Sequence, residues 1–74
     1  MLFRSEKAET SLSEREVEIL KELATGKSYA AIGKTIFLSV DGVRHHIRKI
    51  YQKLQVSSRS EAISQGIKKR LIDP

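Results

Sequence analysis

Apolar residues recur along this chain at intervals of three and four, and they do not alternate with polar ones over any useful length. That periodicity predicts helices and no strand. Four segments carry it. The first opens at "SERE", where Ser13 is placed to cap the helix and Glu16 to complete a capping box. Ile19, Leu20, Leu23 and Ala24 follow as an apolar stripe, with Leu12 ahead of the cap; Val17 falls off the stripe and is expected on the surface. Gly26 suits the left-handed position that ends a helix.

The second helix starts near Ser28 and is short, with Ile32 and Ile36 on one face and Gly33 beside them. A mid-helix glycine costs roughly 1 kcal/mol relative to alanine. Close approach of another helix would offset that cost. "IFLS" then makes a tight connection with Leu38 turned inward, and Ser39 caps a third helix. There Val43, Ile47, Ile50 and Leu54 recur at spacings of four, three and four. After Val56, "SSRSE" offers a second capping box, Ser58 with Glu61. The fourth helix carries Ala62, Ile63 and Ile67 and ends in the basic "KKR", which suits a helix C-terminus. The predicted fold is all-α: a compact four-helix domain over residues 11–74 with a central helix-turn-helix. Residues 1–10, "MLFRSEKAET", are expected to form a flexible N-terminal arm or linker remnant.

With Val43 at zero and about 100° per residue, the apolar positions of the third helix cluster on one side. Arg44, His45, Arg48, Lys49, Gln52 and Lys53 fan across the other. His46 falls at the edge of the apolar stripe and reads as a packed boundary residue within reach of a phosphate. Neighbouring helical positions do not face each other, so His45 and His46 are not a chelating pair and no metal site is expected. No nucleophile constellation or glycine-rich phosphate loop occurs, so no enzymatic activity and no cofactor are expected.

Charge sharpens the picture. Residues 1–22 hold four bases and six acids, whereas residues 23–74 hold ten bases and three acids. The net +5 is therefore concentrated in the second part, as a polyanionic partner would require. Cysteine is absent, which rules out a disulfide framework and fits a cytoplasmic protein. No apolar run approaches the ~20 residues that cross a bilayer, and the start of the chain is too short in apolar residues for a secretory signal. In a helix-turn-helix the second helix lies in the major groove of DNA, its N-terminal side chains on base edges. Residues 40–54 fit that recognition helix.

The segments "LSEREVEILKELATGKS", "IGKTIFLSVDGVRHHI", "IYQKLQV" and "SRSEA", in this order and spacing, resemble the LuxR-type (GerE-type) helix-turn-helix family of bacterial transcription regulators. The resemblance covers about residues 12–72 and is most like the C-terminal output domain of a two-component response regulator. It implies sequence-specific binding of double-stranded DNA. The chain is then either such an excised domain or a short stand-alone regulator. The resemblance implies base contacts from Arg44, His45 and Arg48. Lys49 and Lys53 are better placed for the DNA backbone, as is His46. Ser28 and Tyr29 match the phosphate-proximal start of the second helix, with Lys27 and Lys34 assisting. It also implies a weak homodimer, or a dimer formed on DNA, through Ser64, Gln65 and Lys68 of the fourth helix. Contact with RNA polymerase is compatible with this role.

Several positions depart from the family pattern. Ala31 stands where glutamate is usual, Gly33 where alanine is, Gly42 where threonine is, and Gln55 where glycine is common. Asp41 lies on the basic face three residues before Arg44, and three roles are open to it: orienting Arg44, accepting from cytosine N4, or weakening DNA binding. Two other readings stand beside the main one. A promoter-recognition fragment of a sigma factor would require core polymerase. A protein-interaction adaptor that has lost DNA binding would lack steep salt dependence.

Overall fold

The computed structural model describes residues 12–74. Within them the chain forms four helices: α1 (Glu14–Ala24), α2 (Tyr29–Ile36), α3 (Val40–Leu54) and α4 (Arg59–Lys68). The expected arm over residues 1–10 lies outside the described residues.

Each helix begins where a serine can accept from a backbone amide of the first turn. Ser13, Ser28, Ser39 and Ser58 receive the N–H of Glu16, Ala31, Gly42 and Glu61 respectively. Such a cap satisfies one of the four orphan donors at the helix start. At α1 the capping box closes, because the Ser13 amide donates to Glu16 Oε1 at 2.8 Å. At α4 it does not close as expected. Glu61 accepts instead from the amide and hydroxyl of Ser57, at 2.9 and 3.2 Å, one residue earlier. At α2 no reciprocal partner exists, since Ala31 has no side-chain acceptor.

The helix ends use left-handed residues, only one of which is a glycine. Gly26 after α1 has φ 86°, but Phe37 after α2 has φ 63° and Gln55 after α3 has φ 58°. A side chain in this region costs roughly 1 kcal/mol. The hydrogen bonds it permits offset that cost. Leu38 N–H donates to Gly33 O at 2.8 Å, and Val56 N–H to Tyr51 O at 2.9 Å. The exit from α3 thus keeps the glycine geometry although Gln55 occupies it.

The core is built around α3, which packs against α1, α2 and α4. Ile19, Leu20 and Leu23 of α1, Ile32 and Ile36 of α2, and Val43, Ile47, Ile50 and Leu54 of α3 are all buried. Two expectations, for Ala24 and Val17, need correction. Ala24 is exposed. It lines an open groove of about 390 Å³ with Ile63, Ile67 and Ile72. Ile63 and Ile67 are only half-buried, and the residues of α4 that enter the core are Ala62 and Gly66. A Cβ on Gly66 would lie 2.8 Å from Leu20 Cδ2, so α4 packs closely on α1 and a larger residue there would require the Leu20 side chain to shift. Ile72, beyond the helix, fills the remaining space. Val17, finally, is half-buried rather than exposed.

Two arginines hold the frame from outside. Arg15 of α1 donates to Ile36 O at the end of α2, at 3.1 Å. Arg59, the first residue of α4, donates to Leu23 O at 2.9 Å and to Lys27 O at 2.7 Å. Each thereby adds a side-chain donor to carbonyls at a helix end or turn; Leu23 O also accepts from Gly26 N–H at 3.0 Å.

Candidate nucleic-acid interface

The geometry of the site begins at the α2–α3 turn. A Cβ on Gly33 would lie 2.3 Å from the Leu38 carbonyl oxygen and 3.5 Å from Val43 Cγ2. The obstacle that excludes a side chain is thus chiefly the backbone of the turn, not the facing helix as the sequence suggested. This close turn fixes the direction in which α3 leaves α2. Leu38 is half-buried against the core, while Phe37 points outward and is 91% exposed.

Along α3 the buried stripe Val43, Ile47, Ile50 and Leu54 is mirrored by a second stripe, Asp41, His45, Arg48 and Gln52, all exposed. Both follow spacings of four, three and four. They are offset by two residues, about 200° around the helix, and so face opposite ways. Arg44 and Lys49 flank the outer stripe and are also exposed. Packing on three neighbours therefore holds a cationic face outward.

The side chains singled out in the sequence separate into groups. Arg44, His45, Arg48 and Lys49 share the outer face of α3. Arg44 Nη1 lies 3.8 Å from Asp41 Oδ1, a long and solvated contact. His46 is half-buried at the margin, its Nδ1 buried without a hydrogen-bond partner and its ring edge-on to His45 at 5.9 Å. Lys34 is exposed on α2 and Ser28 on its cap, whereas Tyr29 is half-buried against the core. Tyr29 also neighbours Tyr51. Burial first, and then the Tyr29 hydroxyl, push the Tyr51 phenol above its ordinary range, with Arg59 acting in the opposite sense.

Two of the expected backbone-contacting lysines are committed within the chain. The Lys27 ammonium pairs with Glu22. That of Lys53 donates to Glu16 Oε1 at 2.8 Å. Glu16 itself is buried, so this ion pair bridges α1 and α3 at the edge of the core. Burial raises the Glu16 carboxyl, but the Lys53 ammonium together with the Ser13 amide and hydroxyl outweighs it, leaving the group below the usual carboxylate value. Spacing alone put Lys53 on the polar side of α3; it did not reveal a carboxylate 37 residues away in sequence. Of the expected dimer residues, Ser64 and Lys68 are exposed and Gln65 is half-buried. Among the described residues no cluster of three or more His, Cys, Asp or Glu could hold a metal ion.

A short helix, a close turn and an N-capped helix with a cationic outer face define a helix-turn-helix protein of the DNA-binding class. Residues 10–65 match the family described as "Bacterial regulatory proteins, luxR family". The chain belongs to that family, whose members are DNA-binding transcription regulators. It is 37% identical over 62 residues to the probable transcriptional regulatory protein NarL of Mycobacterium tuberculosis, a match that covers 84% of this chain and 29% of that protein. It is 38% identical over 63 residues to the transcriptional regulatory protein LiaR of Bacillus subtilis, covering 85% of this chain and 30% of LiaR. The crystal structure of the response regulator ChrA, from a heme-sensing two-component system, superposes with a TM-score of 0.81 at 40% identity. That match covers 84% of this chain and 31% of ChrA. The chain thus spans less than a third of the length of these relatives.

Proposed function

We propose that this chain is the output module of a response regulator, binding specific sequences of double-stranded DNA with α3 in the major groove. The observation that carries the reading is the pair of opposed faces of α3, one anchored in the core and the other exposed, where Arg44, Arg48 and Lys49 lie around the outer stripe. The likeness to NarL, LiaR and ChrA supports both the regulatory role and the place of this domain within a longer protein.

In this reading Arg44, His45 and Arg48 meet base edges, since arginine pairs bidentately with guanine O6 and N7. Lys34, Lys49, His46 and the N-terminus of α2 at Ser28 and Tyr29 lie toward the phosphates. Lys27 and Lys53 reach phosphate only by leaving Glu22 and Glu16, so their contribution is the smaller one. Two copies pair through Ser64, Gln65 and Lys68 of α4 on adjacent half-sites, and RNA polymerase is a further partner. The site of action is the cytoplasm, where the DNA is; no helix among the described residues is long and apolar enough to cross a membrane.

The test compares Arg48→Ala with Lys49→Ala on a site selected from random duplex DNA. Arg48→Ala should cost ~1–3 kcal/mol and relax the base choice at one position, whereas Lys49→Ala should weaken every sequence alike. Equal, sequence-blind losses from both would remove base reading by Arg48.

A further inference from the structure

Asp41 is an acid at the start of a face whose other charged groups are bases. Its side chain is 94% exposed and begins the outer stripe of α3, in line with His45, Arg48 and Gln52. It stands in the first helical turn, the part of a recognition helix that goes deepest into the groove. Its contribution to stability is small. An acid in the first turn helps a helix by only ~0.3–1 kcal/mol, and its contact with Arg44 is long and solvated. Against DNA, meanwhile, a carboxylate is repelled by the phosphates.

We propose that Asp41 is a specificity-determining residue. Its carboxylate accepts from the exocyclic amino group of a cytosine while Arg44 donates to the partner guanine, so that the two side chains read one C·G pair from both edges. This inference rests on the reading of α3 as the groove helix. An ionised carboxylate offers acceptors only. In the major groove guanine and thymine present acceptors to it, and adenine sets an N7 acceptor beside its N6 amino group. Cytosine alone presents an amino donor with no acceptor of its own alongside. Its guanine partner then displays O6 and N7, which a guanidinium matches. Arg44 Nη1 and Asp41 Oδ1 lie 3.8 Å apart on one face, side by side but not locked, so both remain available to the two halves of a base pair. Facing guanine or thymine the carboxylate meets only acceptors, and facing adenine it meets the N7 lone pair beside the amino group; those penalties are what discriminate.

Sites are selected from random duplex DNA with the wild-type chain, Asp41→Ala and Asp41→Asn. Affinities are then titrated on duplexes differing only at the C·G position. The wild type should favour C·G there by roughly tenfold or more. Asp41→Ala should bind the other duplexes more tightly and lose most of that preference, while the rest of the motif persists. Asp41→Asn should shift the choice toward adenine, the partner of a carboxamide. A motif unchanged by both substitutions, with affinities rising uniformly, would overturn the proposal and leave DNA recognition by α3 intact. Failure of the wild type to select any motif would overturn both.

Discussion

Lys53 lies on the polar side of α3, yet its ammonium is bonded to Glu16 and its side chain is only 31% exposed. A base at this position therefore acts first on the fold. Lys53→Met should destabilise the chain by about 1–2 kcal/mol at pH 7. That is less than the loss of a fully buried partner, because Ser13 still donates to Glu16. The pH dependence has a definite sign. Glu16 titrates below its ordinary value of 4.5 in the folded chain, so its stabilising effect is complete above that value and is lost as pH falls through the folded one. The gap between Lys53→Met and wild type in urea denaturation should accordingly narrow between pH 7 and pH 3. A gap that stays constant over this range would show that the pair contributes packing and not charge. The capping-box half of this arrangement was legible in "SERE", because a box closes within four residues. The Lys53 half was not, since nothing local marks which base will meet a buried acid.

At the level of helices, the caps and stripes followed from local sequence while the breaks in regularity did not. Four serine caps fall where the sequence puts them, because a hydroxyl next to an amide needs no tertiary partner. The glycines show the opposite case. A Cβ on Gly33 would collide with the Leu38 carbonyl of the following turn, while one on Gly66 would meet the end of the Leu20 side chain, a neighbour that only the assembled fold brings there. Gly42 has no such neighbour: a Cβ would sit 3.4 Å from Ser39 Oγ and 3.5 Å from Leu38 Cβ, close to ordinary contact. Gly42→Ala should therefore stabilise α3 by about 0.5–1 kcal/mol. In a domain of this size that raises Tm by several degrees. A stiffer first turn should also tighten DNA binding slightly, through pre-organisation. A fall in Tm would mean that the turn before α3 does not tolerate even this methyl.

For the whole molecule, the decisive feature is that one helix serves as both core and interface. Packing of α3 on three neighbours leaves its outer stripe no freedom to fold inward. Arg44, Arg48 and Lys49 form a cationic surface on α3 whose binding should be strongly salt-dependent. The logarithm of affinity should fall against the logarithm of salt with a slope near −0.9 per neutralised phosphate, and Lys49→Ala should reduce that slope by about 1. The surface of α4 is less committed. Ser64 and Lys68 offer little apolar area, and Ile63 and Ile67 are half-buried. Free in solution the chain should sediment as a monomer at micromolar concentration, with two copies protecting two half-sites about one helical turn apart. A saturated footprint one half-site long would rule out pairing on DNA.

Sequence by itself determined where each helix starts, which face of α3 is apolar, and that the opposite face is basic. These follow from hydrogen bonds and periodicities spanning a few residues. Only the tertiary structure decided which bases remain available to a polyanion, and that Ala62 and Gly66 rather than Ile63 and Ile67 enter the core. The reason is distance along the chain: Glu16 and Lys53, or Leu20 and Gly66, become neighbours only when packing brings separate helices together.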